Sequence, residues 1–182
     1  AHYEGGMRVP FIAAWVAKNS SNPWQQKLPI AAGSIQSQVA NVTDIFPTLL
    51  ELVDAANIVP SNYSLDGLSL QNLLTGQPDP KRPEHFLMHY PHAPHRSDYF
   101  TSYRNGDWKI IYHYFPTKVS DGSHYQLYNL AADPFESTNL ASSKPDRLRS
   151  MMQELTTSLE QHNALYPVTT KNGSTPAKPT LP

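Results

Sequence analysis

The sequence predicts an α+β protein: a small antiparallel sheet of three to four strands packed by a C-terminal helix, preceded by a strand and a helix left from a larger α/β domain. Three observations carry this reading. Asn105-Gly106 stands between two strand-like runs in "YFTSYRNGDWKIIYHYF", the strongest short hairpin signal that a sequence offers. Leu148, Met151, Met152, Leu155 and Leu159 recur at the spacing of one helix stripe between Pro145 and about Asn163. In the first half, by contrast, a single apolar run and a single helix cannot cover each other, as packed layers must.

Composition limits the function classes. The chain has 182 residues, enough for one medium domain or for a small domain plus part of another. A formal net charge of -1 gives no electrostatic reason to expect nucleic acid or an anionic membrane as partner. No segment approaches the roughly 20 apolar residues of a membrane span. No stretch reads as a secretory signal, so the sequence itself does not show a compartment. The chain contains no cysteine, which excludes disulfides, thiolate metal sites and a cysteine nucleophile within it.

Element by element, "VPFIAAWVA" (Val9 to Ala17) is nearly continuous in apolar, aromatic and β-branched residues, the pattern of a strand buried on both faces. Gly5 and Gly6 just before it leave the backbone free to take positive φ or to approach another group closely. "NVTDIFPTLLELVDAA" (Asn41 to Ala56) predicts a helix with Asp44 as N-cap and Pro47 at its third position, where no intrahelical donor is lost. Ile45, Leu49, Leu52 and Val53 would form its buried face. Pro78, Pro80 and Pro83 mark a boundary, dividing the chain into 1–76, a linker at 77–84, a module at 85–166 and an extended tail at 167–182. Beyond the boundary, "HFLMHY" and "YQLYNL" read as strands, and Trp108, Ile110, Tyr112 and Tyr114 alternate onto one face.

These segments also carry a resemblance. "YEGGMRVPFIAAW", "VTDIFPTLLELVDAA", "LDGLSLQNLLTG", "SYRNGDWKIIYHY" and "YQLYNLAADPFESTNLA" follow one another here as they do in the C-terminal third of sulfatases. Over about residues 2 to 160 the chain resembles an arylsulfatase-type enzyme of the alkaline-phosphatase-like superfamily. "EGG-x-RVP" together with "LYNL-x-x-DP-x-E-x-x-NLA" is the specific part. The resemblance implies hydrolysis of sulfate esters by a formylglycine made from a Cys/Ser-x-Pro-x-Arg motif, with a divalent metal, usually Ca2+, stabilising charge on the sulfuryl oxygens. It places nearly all of those residues in the N-terminal two-thirds of such enzymes. The lysine just upstream of "EGG" would fall before Ala1, and no Asp-Asp pair stands near the start. The implied partner is therefore the N-terminal catalytic domain of the same protein, with a sulfated small molecule or glycan as substrate, and the chain alone would be inactive. Family habit implies a periplasmic or secreted location.

Candidate site residues follow from both lines. "SKPDR" (Ser143 to Arg147) fits Ser-x-Pro-x-Arg formally, but reads as a helix start with Ser143 as N-cap, Pro145 in the first turn and Asp146 closing an approximate capping box. In "HYPHAPH", His89, His92 and His95 recur at intervals of three; they are solvent-exposed or structural, or contact a sugar hydroxyl or sulfate oxygen from a strand bordering the substrate cleft, or bind a metal, although strand-to-loop geometry would splay them. Glu4 and Arg8 either form a partly buried ion pair at the turn into the apolar run, or Glu4 orients an active-site group from behind. His2 and Tyr3 are candidates for lining a sulfate pocket, and Arg104, beside the hairpin turn, is either a solvated turn charge or reaches an anionic substrate. Asn19, Asn41, Asn62 and Asn172 fit Asn-x-Ser/Thr, a short pattern common by chance.

Two classes of function are thus in play: the C-terminal part of a sulfatase, or a non-catalytic module that binds a glycan or a partner chain. A phosphatase or phosphonate hydrolase of the same superfamily is the third reading. If the first half belongs to a larger sheet, the apolar run at Val9 to Ala17 should expose its side chains.

Overall fold

The computed structural model describes residues 2–92, 99–117, 119–168 and 175–182. Its helices are α1 (Glu4–Met7), α2 (Pro23–Lys27), α3 (Ile45–Leu52), α4 (Gln71–Leu74) and α5 (Pro145–Gln161), and its strands are β1 (His85–Tyr90), β2 (Phe100–Asn105), β3 (Trp108–His113) and β4 (Tyr125–Asn129). The chain divides into two compact units, one of Ala1–Val9 with His85–Pro182 and the other of Pro10–Glu84. Residues 1–9 thus side with the C-terminal half, across a gap that local sequence patterns do not bridge.

In the first unit the strands form one antiparallel meander in the order β1-β2-β3-β4. Asn105 pairs with Trp108, so the tight loop is Gly106-Asp107, one residue later than the Asn105-Gly106 centre that the sequence suggests. Gly106 supplies the positive φ of 55° at the first loop position, as a type II′ hairpin requires. Strand alternation gives the sheet two different faces. Tyr103, Ile110, Tyr112, Tyr114 and Leu127 point to one side, where Leu148, Met151, Met152, Leu155 and Leu159 of α5 close the main core. This is the predicted stripe on the predicted face. On the other side Phe100, Ile111, Tyr128 and Leu130 make a smaller apolar cluster.

Helix α5 starts differently from the expectation. Lys144 occupies the N-cap position without a side-chain cap, and Pro145 takes the first turn. Ser143 instead donates to the Leu140 carbonyl at 3.3 Å, so neither Ser143 nor Asp146 builds a capping box. At its other end Asn163 has φ 49°. Its N–H bonds to the Glu160 carbonyl and the Ala164 N–H to the Leu159 carbonyl, both at 3.0 Å, a Schellman motif with asparagine in the usual glycine position. The described residues of the tail do not run free. Val168 bridges to Pro176, and the Tyr125 hydroxyl donates to the Thr180 carbonyl at 3.0 Å.

The second unit is mostly loops and short helices around Leu28, Leu50, Leu70 and Leu73. A buried ion pair supplements this small apolar core. Arg82 donates to Asp44 Oδ2 at 2.7 Å and to the carbonyls of Leu68 and Ser69 at 3.0 Å. Asp44 also accepts from the backbone N–H groups of Asn41 and Leu68. It is therefore not a side-chain cap of α3: Asn41 caps the preceding 3-10 turn, and Asp44 closes that capping box from inside. Arg82 and Asp79, within the stretch read as a linker, are both buried.

Three further expectations fail, the one at Gly5 and Gly6 in the sheet unit. Residues 9–17 form no strand; Val9, Phe11, Ile12 and Val16 lie exposed. Gly5 and Gly6 fall inside α1 rather than at positive φ. Helix α3 forms where predicted, with Pro47 in its first turn, but it buries Thr48 and Leu50. Of the predicted inner stripe, Ile45, Leu49 and Val53 are exposed and Leu52 is half-buried, and Phe46 is exposed too. An amphipathic stripe is buried only if something lies against it, and the small core here takes the opposite side.

One substitution in each unit tests these packings. Leu155→Ala removes a fully buried side chain and should lower the unfolding free energy of the sheet unit by about 2–5 kcal/mol. A Cβ at Gly67 would sit 2.2 Å from the Thr43 carbonyl oxygen, so Gly67→Ala should cost the Pro10–Glu84 unit about 1–3 kcal/mol. Urea unfolding followed by hydrogen exchange in each unit reads both; a neutral Gly67→Ala would show that the Thr43 backbone can retreat.

Candidate functional site

The sheet face away from α5 is where sequence-distant polar groups converge. Because Trp108, Ile110 and Tyr112 face the helix, Lys109 and His113 must face the opposite side of β3. Lys109 is 0% exposed. A buried ammonium in a central strand is costly unless it is paired and hydrogen-bonded, and it has two carboxylates. Its Nζ lies 2.9 Å from Glu4 Oε1 and 2.8 Å from Glu136 Oε1. Arg104 Nη1 is 3.5 Å from Glu4 Oε2, and its Nε donates to the Gly106 carbonyl at 3.0 Å. Glu136 in turn accepts a short hydrogen bond from the Glu4 backbone N–H. Two carboxylates, one ammonium and one guanidinium balance in charge.

Each partner is placed by a different device. The four-residue α1 is far below the length at which a helix stands alone; it holds Glu4 inward only because the cluster binds it. Glu136 sits in the "DPFESTNLA" loop at φ 55°, a left-handed conformation uncommon outside glycine. Removing one partner from such a buried pair costs roughly 3–5 kcal/mol, since a charge is left without its counterion.

Next to this cluster the His2 ring is 7% exposed, 4.7 Å from Phe100 and 5.2 Å from the His113 ring between centroids. Burial first, and the neighbouring His113 second, hold its pKa down at about 3. The ring is therefore neutral at physiological pH. Gln126 Oε1 accepts from the Tyr3 hydroxyl at 2.9 Å and lies 3.0 Å from His113 Nε2, which donates to it. Burial pushes the Tyr128 hydroxyl well above its ordinary value.

The residues singled out from sequence separate into groups. His2, Glu4 and Arg104 meet on this face. Arg8 is exposed, and Glu4 pairs with Lys109 and Arg104 instead of with it. His89 lies on the α5 side of the sheet, with Nδ1 2.7 Å from Thr101 Oγ1 and Nε2 2.7 Å from the Leu165 carbonyl. Both ring nitrogens are used structurally. His92 is exposed, its ring 4.4 Å from that of Tyr90, and His95 lies outside the described residues. Trp108, Tyr112 and Tyr114 pack in the core as read. Lys109, Glu136, His113 and Gln126 were not singled out. The signal for Lys109 was present in the alternation of β3; for Glu136, no local pattern says that it turns inward.

Among the described residues no group of three His, Asp or Glu side chains could hold a metal ion, and the chain has no cysteine. This donor set does not fit the metal or the formylglycine of a sulfatase. Nor does the cluster present a nucleophile beside a free base: both carboxylates bind the ammonium, and the ammonium is sealed from solvent. What the arrangement can do is hold the residue 2–9 segment in one position against the sheet.

A four-strand antiparallel meander closed by one helix, with the "EGG" turn held on its other face, is the architecture of this unit, and sequence similarity assigns it to the C-terminal domain of sulfatases. The chain belongs to that family: the family model described as N-sulphoglucosamine sulphohydrolase, C-terminal, matches residues 2–164. It is 26% identical to a sulfatase of Formosa agariphila over 95% of this chain and 29% of that protein. It is 30% identical to human arylsulfatase A over 83% of this chain and 30% of that protein. Among solved structures, that of BT4656 in complex with its substrate D-glucosamine-2-N,6-O-disulfate matches with a TM-score of 0.59 at 26% identity, over 74% of this chain and 26% of that one. The chain thus spans under a third of the length of these relatives. A phosphonate monoester hydrolase of Agrobacterium radiobacter shares the fold, with a TM-score of 0.54 at 23% identity.

The His2 environment gives a pH prediction. Above about pH 6.5, its unfolded value, His2 is neutral in both states. As pH falls from there toward about 3, the unfolded chain takes up a proton that the folded one refuses, so stability declines across that window. His2→Phe keeps the ring but not the titration, and its stability should fall less steeply between about pH 6.5 and pH 4. Parallel slopes for the two proteins in denaturant unfolding would show that His2 does not contribute.

Proposed function

We propose that this chain is the C-terminal portion of an enzyme that hydrolyses sulfate esters, of aryl or carbohydrate type, with its formylglycine and divalent metal supplied by the rest of the protein. The unbroken family match from residue 2 to 164 carries the reading. The exposed stripe of α3 and the exposed apolar run at 9–17 support it too: apolar patches rimmed by polar residues mark surfaces that something covers. In this reading the domain contributes stability and a wall of the substrate cleft, while the chemistry belongs upstream. The sulfated glucosamine held by BT4656 makes a sulfated sugar the first carbohydrate substrate to try. The phosphonate hydrolase neighbour argues only for a shared fold.

The test compares the isolated 182-residue chain with the whole protein on a chromogenic aryl sulfate, the matching phosphate, and a sulfated glucosamine, with Ca2+ present. The whole protein should turn over a sulfate ester, and the isolated chain should not. Turnover by the isolated chain that disappears in Ser143→Ala would overturn the reading, because the Ser-x-Pro-x-Arg stretch would then be the active centre.

A further inference from the structure

We infer that Lys109 is a positioning residue of the whole enzyme: through Glu4 and Glu136 it fixes the segment by which the remainder of the sulfatase enters this domain, and turnover depends on that fixation. The inference rests on the function proposed above and adds to it a residue that touches no substrate.

The geometry supporting it is confined to one unit. Residues 1–9 belong with 85–182, although the chain between them forms a separate unit. In an enzyme of which this is the C-terminal portion, the upstream chain arrives through residues 2–9 and leaves them for the Pro10–Glu84 unit. The joint cannot hold itself: α1 is four residues long, Gly5 and Gly6 sit within it, and Arg8 beside it is exposed. Its attachment is therefore made by side chains. Glu4 binds Lys109 at 2.9 Å and Arg104 at 3.5 Å, its backbone N–H binds Glu136, and Tyr3 reaches Gln126 at 2.9 Å. Lys109 is central because it is the member that both carboxylates share. Its sheet neighbours fix its own position, since β3 is paired on both sides. Reacting groups must be held to within a fraction of an ångström, and misplacement by about 1 Å from a distant change can cost about a hundred-fold in rate.

Lys109→Met alone strands the buried Glu136 and leaves Glu4 only Arg104 at 3.5 Å, which invites unfolding, so the decisive variant is Lys109→Met with Glu4→Gln and Glu136→Gln. It removes every charge of the clamp except Arg104, which can turn to solvent, and keeps side-chain volume and the acceptor for the Glu4 N–H. The whole enzyme is used throughout, with melting temperature and hydrogen exchange of residues 2–9 measured beside kcat and KM. Wild type must first hydrolyse a sulfate ester; if it does not, the sulfatase reading falls and this inference with it. With an active wild type, the triple variant should remain folded at the assay temperature, exchange faster at residues 2–9, and lose about ten-fold or more in kcat with KM within about two-fold. A folded triple variant with wild-type kcat overturns the inference and leaves the sulfatase reading standing, because the clamp would then serve stability alone. If the triple variant does not fold, Glu4→Gln alone decides, since it leaves Lys109 paired with Glu136: unchanged kcat in that variant also overturns the inference.

Discussion

A fully buried ammonium between two carboxylates is the constraint on which the sheet unit depends. Lys109 enters the interior because β3 is a central strand whose alternate residues must point to opposite faces. Once it is inside, solvation is gone and only paired oxygens can replace it. Glu4 and Glu136 supply them from positions 105 residues upstream and 27 downstream. Neither would be held inward otherwise: one sits in a single helical turn, the other in a loop at positive φ. The ion cluster thus decides the fold locally. It makes a discontinuous stretch of chain part of one unit, and Phe100, Ile111 and Tyr128 form an apolar cluster on the same face of the sheet.

The same device recurs in the Pro10–Glu84 unit, where Arg82 and Asp44 tie together short helices and loops. There the pair saturates backbone carbonyls and N–H groups as well as each other, a role that apolar side chains could not fill. Both α3 and α4 end in the same left-handed Schellman turn as α5, at Asp54 and Gly76 respectively. Short helices without long apolar faces need such closures at each end, because each unsatisfied terminal group is a large fraction of what holds them.

What could be read in the sequence follows this division. The meander, the core face of β3 and the stripe of α5 were legible because periodicity is a local property and the partner surfaces lie in the same unit. The hairpin was displaced by one residue, since Gly106 alone satisfies the left-handed first loop position. The α3 stripe and the run at 9–17 were legible as apolar patterns but not as burial, which depends on what lies against them. Ser143 and Asp44 looked like caps because a capping residue and an ion-pair or loop residue have the same composition. The clamp itself was half legible: a lysine within "DWKIIYHYF" needs a counterion, but nothing local says which of the chain's carboxylates provides it. That choice is made by tertiary topology.

The two units differ in how far they satisfy themselves. In the sheet unit the central strand is apolar on one face and ion-paired on the other, and even the described end of the tail returns to β4. In the Pro10–Glu84 unit Val42, Ile45, Phe46, Leu49 and Val53 stay exposed on one helical region while the polar hub is sealed. Leaving several large apolar side chains partly in water forfeits a share of the roughly 1.5–3 kcal/mol that full burial of each would contribute. A sequence that places an amphipathic helix with its apolar stripe outward is consistent only if the stripe has its own counterpart. Since the chain spans under a third of its sulfatase relatives, the counterpart we propose is the remainder of the enzyme. In that reading the clamp, within the sheet unit, fixes where the incoming chain lies, and the bare stripe, within its own unit, supplies apolar area for the catalytic portion to cover.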